Sequence, residues 1–134
     1  MKFLNILFIE DDAIEGIRLN RALVSLNQKH RLIEVSNGLE ALNYLKSENN
    51  LPDIILLDLN MPKLNGLEFL KILKTDQFLK IIPTIVFTTS NNGKDITECY
   101  KVGIAGYILK PLKYEDYQIV VKKVLDYWST NELI

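Results

Sequence analysis

Five strand-like stretches recur along the chain, at residues 4–9, 31–35, 54–58, 84–88 and 106–109. The aliphatic runs among them lack polar alternation, which is the pattern of a strand buried on both faces. Between them, helical periodicity predicts helices over 13–26, 39–47, 66–74, 94–102 and 115–128. The first of these places Leu19, Ala22, Leu23 and Leu26 on one face, and the last places Tyr117, Val121, Val124 and Trp128 on one stripe. Strand–helix alternation at this spacing predicts an α/β architecture: a doubly wound parallel sheet, right-handed crossovers and helices on both faces. Turn formers fall between the elements: Ser36-Asn37-Gly38, Asn49-Asn50-Leu51-Pro52, Pro62 with Gly66, and Pro83. Gly103 follows the fourth helix as a carboxyl cap.

The polar residues that end these strands change the picture. Glu10, Asp11 and Asp12 directly follow the first apolar run, and Asp58 ends the third. In a parallel sheet both emerge at the carboxyl edge, where open α/β sheets form their ligand crevices. Neighbouring carboxylates at ~4 Å repel by about 4 kcal/mol at an effective dielectric of ~20. Such crowding is tolerated if a cation sits among them or some carboxyl pKa values rise. Thr88 ends the fourth strand and Lys110 the fifth, which adds a hydroxyl and an ammonium to the same edge. Asp12 is expected to cap the first helix rather than to bind metal directly.

Composition narrows the classes. The chain has 134 residues, 48% hydrophobic and 25% charged, enough for one domain with its own core. A net charge of −1 with no basic stripe argues against nucleic-acid binding. Cys99 is the only cysteine, so an internal disulfide is excluded and a buried helical thiol is expected. No stretch reads as a secretory signal or a membrane span, so a cytoplasmic protein without membrane partners is expected. His30, the only histidine, is expected on the surface away from the crevice.

The order of an acidic pair, a lone Asp58, Met61-Pro62…Gly66, Thr88 and Lys110-Pro111 resembles the receiver domain of two-component response regulators over essentially the whole length. Thr88-Thr89-Ser90, Asp95-Ile96 and Tyr127-Trp128 resemble the single-domain receivers that partner phytochrome-type histidine kinases. The resemblance implies a flavodoxin-like fold with five parallel strands in the order 2-1-3-4-5. It implies a single receiver domain over 1–134 with no output domain. Asp58 would accept a phosphoryl group from a sensor histidine kinase and would not turn over as an enzyme does. Mg²⁺ would be held by Glu10, Asp11, Asp58 and the backbone carbonyl of Asn60, and such a hard oxygen site with few carboxylates suits magnesium. Lys110 and Thr88 would meet phosphoryl oxygens.

The same resemblance implies a switch in which Thr88 moves toward the phosphoryl group and Tyr107 fills the space behind it. An unnamed downstream protein would read the altered surface; a phosphorelay or phosphate-sink role is the alternative. Receivers usually carry a small residue after the strand-end threonine, and here it is Thr89, with Asn60 and Ser90 flanking the same phosphoryl path. The bulk of Thr89 is expected to shield the phosphoryl path and lengthen the lifetime of the phosphorylated state. Leu133 and Ile134 form an apolar end expected to favour a homodimer or kinase docking.

Three other readings are weighed against this one. A haloacid-dehalogenase-like phosphatase needs a second Asp two positions after the first, where this chain has Asn60. A flavin-binding relative needs a first loop rich in Ser, Thr and Gly, and here that loop is acidic. A phosphorylation-independent binding module has no reason to hold Glu10, Asp11, Asp58, Thr88 and Lys110 together.

Overall fold

The computed structural model describes residues 2–47 and 51–134, so the turn expected at Asn49-Asn50 lies outside the described residues. Its strands are β1 (Asn5–Ile9), β2 (Arg31–Val35), β3 (Ile54–Leu57), β4 (Thr84–Thr88) and β5 (Gly106–Leu109). Its helices are α1 (Ala13–Ser25), α2 (Gly38–Ser47), α3 (Gly66–Thr75), α4 (Gly93–Val102) and α5 (Tyr114–Ser129). The strands pair in parallel in the order β2-β1-β3-β4-β5, as expected. The expected strand ends differ by a residue at Leu4 and Asp58. A short 3-10 turn, Leu79–Ile81, precedes β4 and was not foreseen. Its three residues are too few to show a period; Asp76 anchors it by accepting from the backbone N–H groups of Phe78 and Leu79.

Strand alternation divides the core in two. Leu7, Ile9, Ile55, Leu57 and Val86 face α2, α3 and α4, where Ala41, Phe69, Leu73 and Cys99 close the layer. Ile6, Phe8, Leu56, Ile85 and Phe87 face α1 and α5, meeting Leu19, Leu23, Tyr117 and Val121. A strand covered on both sides has no solvent face, which is why β1, β3 and β4 read as continuous apolar runs. Truncating a fully buried aromatic such as Phe69 to Ala would cost about 3–5 kcal/mol.

Local signals set the helix ends. Asp12 Oδ1 accepts from the N–H of Ile14 at 2.9 Å, the capping role expected of it. Asn65 and Glu68 form a reciprocal capping box that starts α3. Gly103 adopts φ 118°, and its N–H closes on the carbonyl of Cys99. Cys99 is buried, as expected. Trp128 packs against the α1/α5 layer and Tyr127 points outward, 61% exposed. Leu133 folds back onto that layer, whereas Ile134 is fully exposed.

Candidate functional site

The sheet itself delivers the site residues. Each of Glu10, Asp58 and Lys110 continues a strand by one backbone hydrogen bond before the chain turns away. Glu10 N–H donates to Val35 (3.0 Å), Asp58 N–H to Ile9 (3.0 Å) and Lys110 N–H to Thr88 (2.8 Å). Their side chains therefore leave the carboxyl edge from fixed backbone positions. β1 lies between β2 and β3, so its carboxyl end is the point where the strand order reverses and the loops diverge into a cleft.

One carboxylate oxygen from each of Glu10, Asp11 and Asp58 lies within 4.8 Å of the others. Glu10 and Asp58 are nearly buried, while Asp11 is exposed. The cleft they floor is also lined by Asn60, Thr89 and Lys110. Burial pushes the Glu10 carboxyl up to about 7; the Lys110 ammonium opposes the shift and the charge of Asp58 adds to it. Burial pulls Lys110 down, but its bonds to Glu10 and Glu15 and the charges of Glu10 and Asp58 outweigh that and hold it above the ordinary lysine value. Both groups lie in a desolvated pocket, and their pairing offsets part of that cost. Three hard, closely spaced oxygens with excess negative charge fit a divalent cation, which would relieve the desolvated Glu10.

The other expected residues take distinct places. Thr88 is fully buried at the end of β4, its Oγ1 accepting from the N–H of Ser90 at 3.4 Å. Ser90 faces α4 rather than the cleft: its hydroxyl donates to Asp95 at 3.0 Å. Tyr107 is half-buried against the α2/α3/α4 layer, and its hydroxyl donates to the carbonyl of Ser90 at 2.7 Å. Burial raises the Tyr107 phenol above its usual pKa. His30 is away from the cleft, but it is more than a surface residue. Its Nδ1 accepts from the N–H of Leu4 at 2.9 Å, and its Nε2 pairs with Gln28.

Two contributors were missed. Lys110 pairs with Glu10 and also with Glu15, at 3.0 Å. Arg18 donates to the carbonyls of Pro111 (3.0 Å) and Leu112 (3.1 Å), and its guanidinium lies 4.1 Å from the centre of the Tyr117 ring. The signal for Glu15 was its place three residues after the cap Asp12, where a capping box would turn the side chain back to its own helix. It crosses the cleft instead, because a buried ammonium is the stronger attraction.

Comparison with known proteins agrees with this geometry. The family described as response regulator receiver domain matches residues 6–122. The probable methanogenesis regulatory protein FilR2 of Methanothrix harundinacea is 34% identical over 92% of this chain and 82% of its own. Response regulator Rcp1 of Synechocystis is 32% identical over 92% of this chain and 87% of its own. Among solved structures, the phosphorylated cyanobacterial phytochrome response regulator RcpA superposes with a TM-score of 0.91 at 35% identity, covering 98% of this chain and 99% of that one. The Mn²⁺-bound form of Rcp1 superposes with a TM-score of 0.89 at 31% identity, covering 98% and 99%. With the carboxylate cluster at the end of β1 and β3 and the lysine at the end of β5, the chain belongs to the response regulator receiver family of two-component signalling.

Proposed function

We propose that this receiver is a phosphoacceptor switch and that Asp58 is its nucleophile. The observation that carries the reading is the convergence of Glu10 and Asp11 on Asp58, with Lys110 and Thr89 on the rim of the same cleft. A carboxylate oxygen of Asp58 attacks the phosphorus of a phosphohistidine. The P–O bond forms as the P–N bond breaks, and the imidazole leaves with the electron pair. The product is an acyl phosphate on Asp58. Mg²⁺ supplies charge neutralisation, with Glu10, Asp11, Asp58 and the backbone carbonyl of Asn60 as the groups that would hold it. Lys110 holds a phosphoryl oxygen by its point charge, and Thr88 donates a hydrogen bond to another.

The domain performs its own phosphorylation and hydrolysis and is no turnover enzyme. Its phosphoryl donor is a sensor histidine kinase of the phytochrome type; the likeness to RcpA, a phytochrome response regulator by name, supports that choice. Phosphorylation changes the α4–β5–α5 surface through Thr88 and Tyr107, and a downstream protein reads the change. Among the described residues no helix is long and apolar enough to cross a membrane.

Incubation with acetyl phosphate and Mg²⁺, followed by intact mass measurement, tests the reading. Wild type should gain one phosphoryl mass, lost on hydroxylamine treatment, and Asp58→Asn should gain none. An equal gain in both would remove Asp58 from the role.

A further inference from the structure

Building on the phosphoacceptor reading, we propose that Glu15 is a positioning residue that offers Lys110 a second carboxylate, so that Glu10 can serve a divalent cation while Lys110 stays in the cleft. The geometry sets up a competition. Glu10 is the direct partner of Lys110 and also one of the three carboxylates gathered within 4.8 Å. A cation bound there and the Lys110 ammonium both draw on the oxygens of Glu10. The Lys110 side chain is only 5% exposed, so an ammonium that lost Glu10 would be left desolvated beside a second positive charge.

Glu15 removes that difficulty. Its Oε1 lies 3.0 Å from Lys110 Nζ. An ammonium has three protons, so it serves Glu10 and Glu15 together and keeps one for a phosphoryl oxygen. Glu15 belongs to α1 and is not among the three carboxylates gathered within 4.8 Å, so it can serve Lys110 without being one of the cation's ligands. It is also held in place: Arg18 approaches it at 3.9 Å, and Arg18 is fixed by the carbonyls of Pro111 and Leu112 and by the face of Tyr117. The loop that follows Lys110 is thereby tied to the helix that carries Glu15. Side-chain exposures of 16% and 21% for Glu15 and Arg18 leave little room for bulk water to screen the pair.

The test is a double-mutant cycle read by calorimetric titration of Mg²⁺ into metal-stripped protein. Glu15→Gln should weaken Mg²⁺ binding about fivefold where Lys110 is present, and less than about twofold in the Lys110→Met background. An equal loss in both backgrounds would mean that Glu15 acts only as a distant negative charge, and would overturn the proposal. Unchanged affinity in Glu15→Gln would do the same. Nitrogen-15 NMR of the Lys110 ammonium gives a readout in the wild-type protein itself. Its slowly exchanging signal should survive Mg²⁺ addition in wild type and broaden away in Glu15→Gln; loss of the signal in wild type would overturn the hand-over. Absence of any Mg²⁺ binding by wild type would overturn this proposal and the metal assignment together. Binding that ignores Glu15 would overturn this one alone.

Discussion

The hydroxyl of Tyr107 donates to the carbonyl of Ser90 at 2.7 Å, joining β5 to the loop that leaves Thr88. Ser90 in turn donates its own N–H back to Thr88 Oγ1 and its hydroxyl to Asp95 on α4. A short chain of hydrogen bonds therefore runs from the aromatic on β5, through Ser90, to the buried threonine and to α4. Ser90 is its centre.

Tyr107→Phe removes the first link and leaves the ring packed. The expected loss of stability is about 1 kcal/mol, since Ser90 is partly exposed and water can replace the phenol. Urea unfolding at neutral pH measures it. A variant as stable as wild type would mean that the bond adds nothing beyond what water supplies.

Gly66→Ala should damage the site through the backbone. A Cβ built there would lie 2.5 Å from the carbonyl oxygen of Asp58 and 2.6 Å from Cα of Leu59. Both are main-chain atoms, so the loop from Asp58 to α3 has to shift. A loss of about 1–3 kcal/mol is expected, together with weaker Mg²⁺ binding, because Asp58 moves. Thermal unfolding with and without Mg²⁺ separates the two effects. Full retention of both would show that the loop yields without moving Asp58.

His30 should make stability depend on mildly acidic pH. Burial holds its folded-state pKa below the ordinary 6.5, against a smaller opposing pull from Asp126. Because Nδ1 accepts the Leu4 N–H, a proton added there breaks that bond. The unfolded chain therefore binds more protons just below pH 6.5, and stability present above that pH is lost as pH falls through the folded-state value. Glu10, pushed up to about 7, contributes with the opposite sign, losing stability as pH rises from its unfolded value toward 7. The difference between wild type and His30→Gln cancels Glu10 and isolates the histidine. Parallel stability curves from pH 5 to 7 would refute the assignment.

Thr89 is exposed on the rim of the cleft that holds Asp58, Asn60 and Lys110. Replacing it with Ala should open the approach of water to an acyl phosphate on Asp58 and hasten phosphate loss severalfold. Asn60, which lines the same cleft, is left unchanged in the variant. An unchanged decay rate in Thr89→Ala, followed by intact mass, would dispose of the steric shield.

Much of this molecule was decided by local pattern. Residues 6–9 and 54–57 are apolar because both faces are covered, so strand identity followed from the runs and the double layer from their alternation with helices. Asp12, Asn65 and Gly103 mark helix ends through bonds to their own backbone, and those are readable from residue type and position. The edge to which Glu10, Asp58, Thr88 and Lys110 belong also followed, since each ends a strand of the same direction. Three features depended on which partners the folded chain brought together, two of them across long sequence separations. Lys110 chose Glu10 and Glu15 as partners, His30 turned its ring onto Leu4, and Ser90 faced Asp95 instead of the cleft. Sequence periodicity states which face a residue occupies, whereas the partner of a buried charge or donor is set by which unmet group the folded chain brings within 3 Å of it.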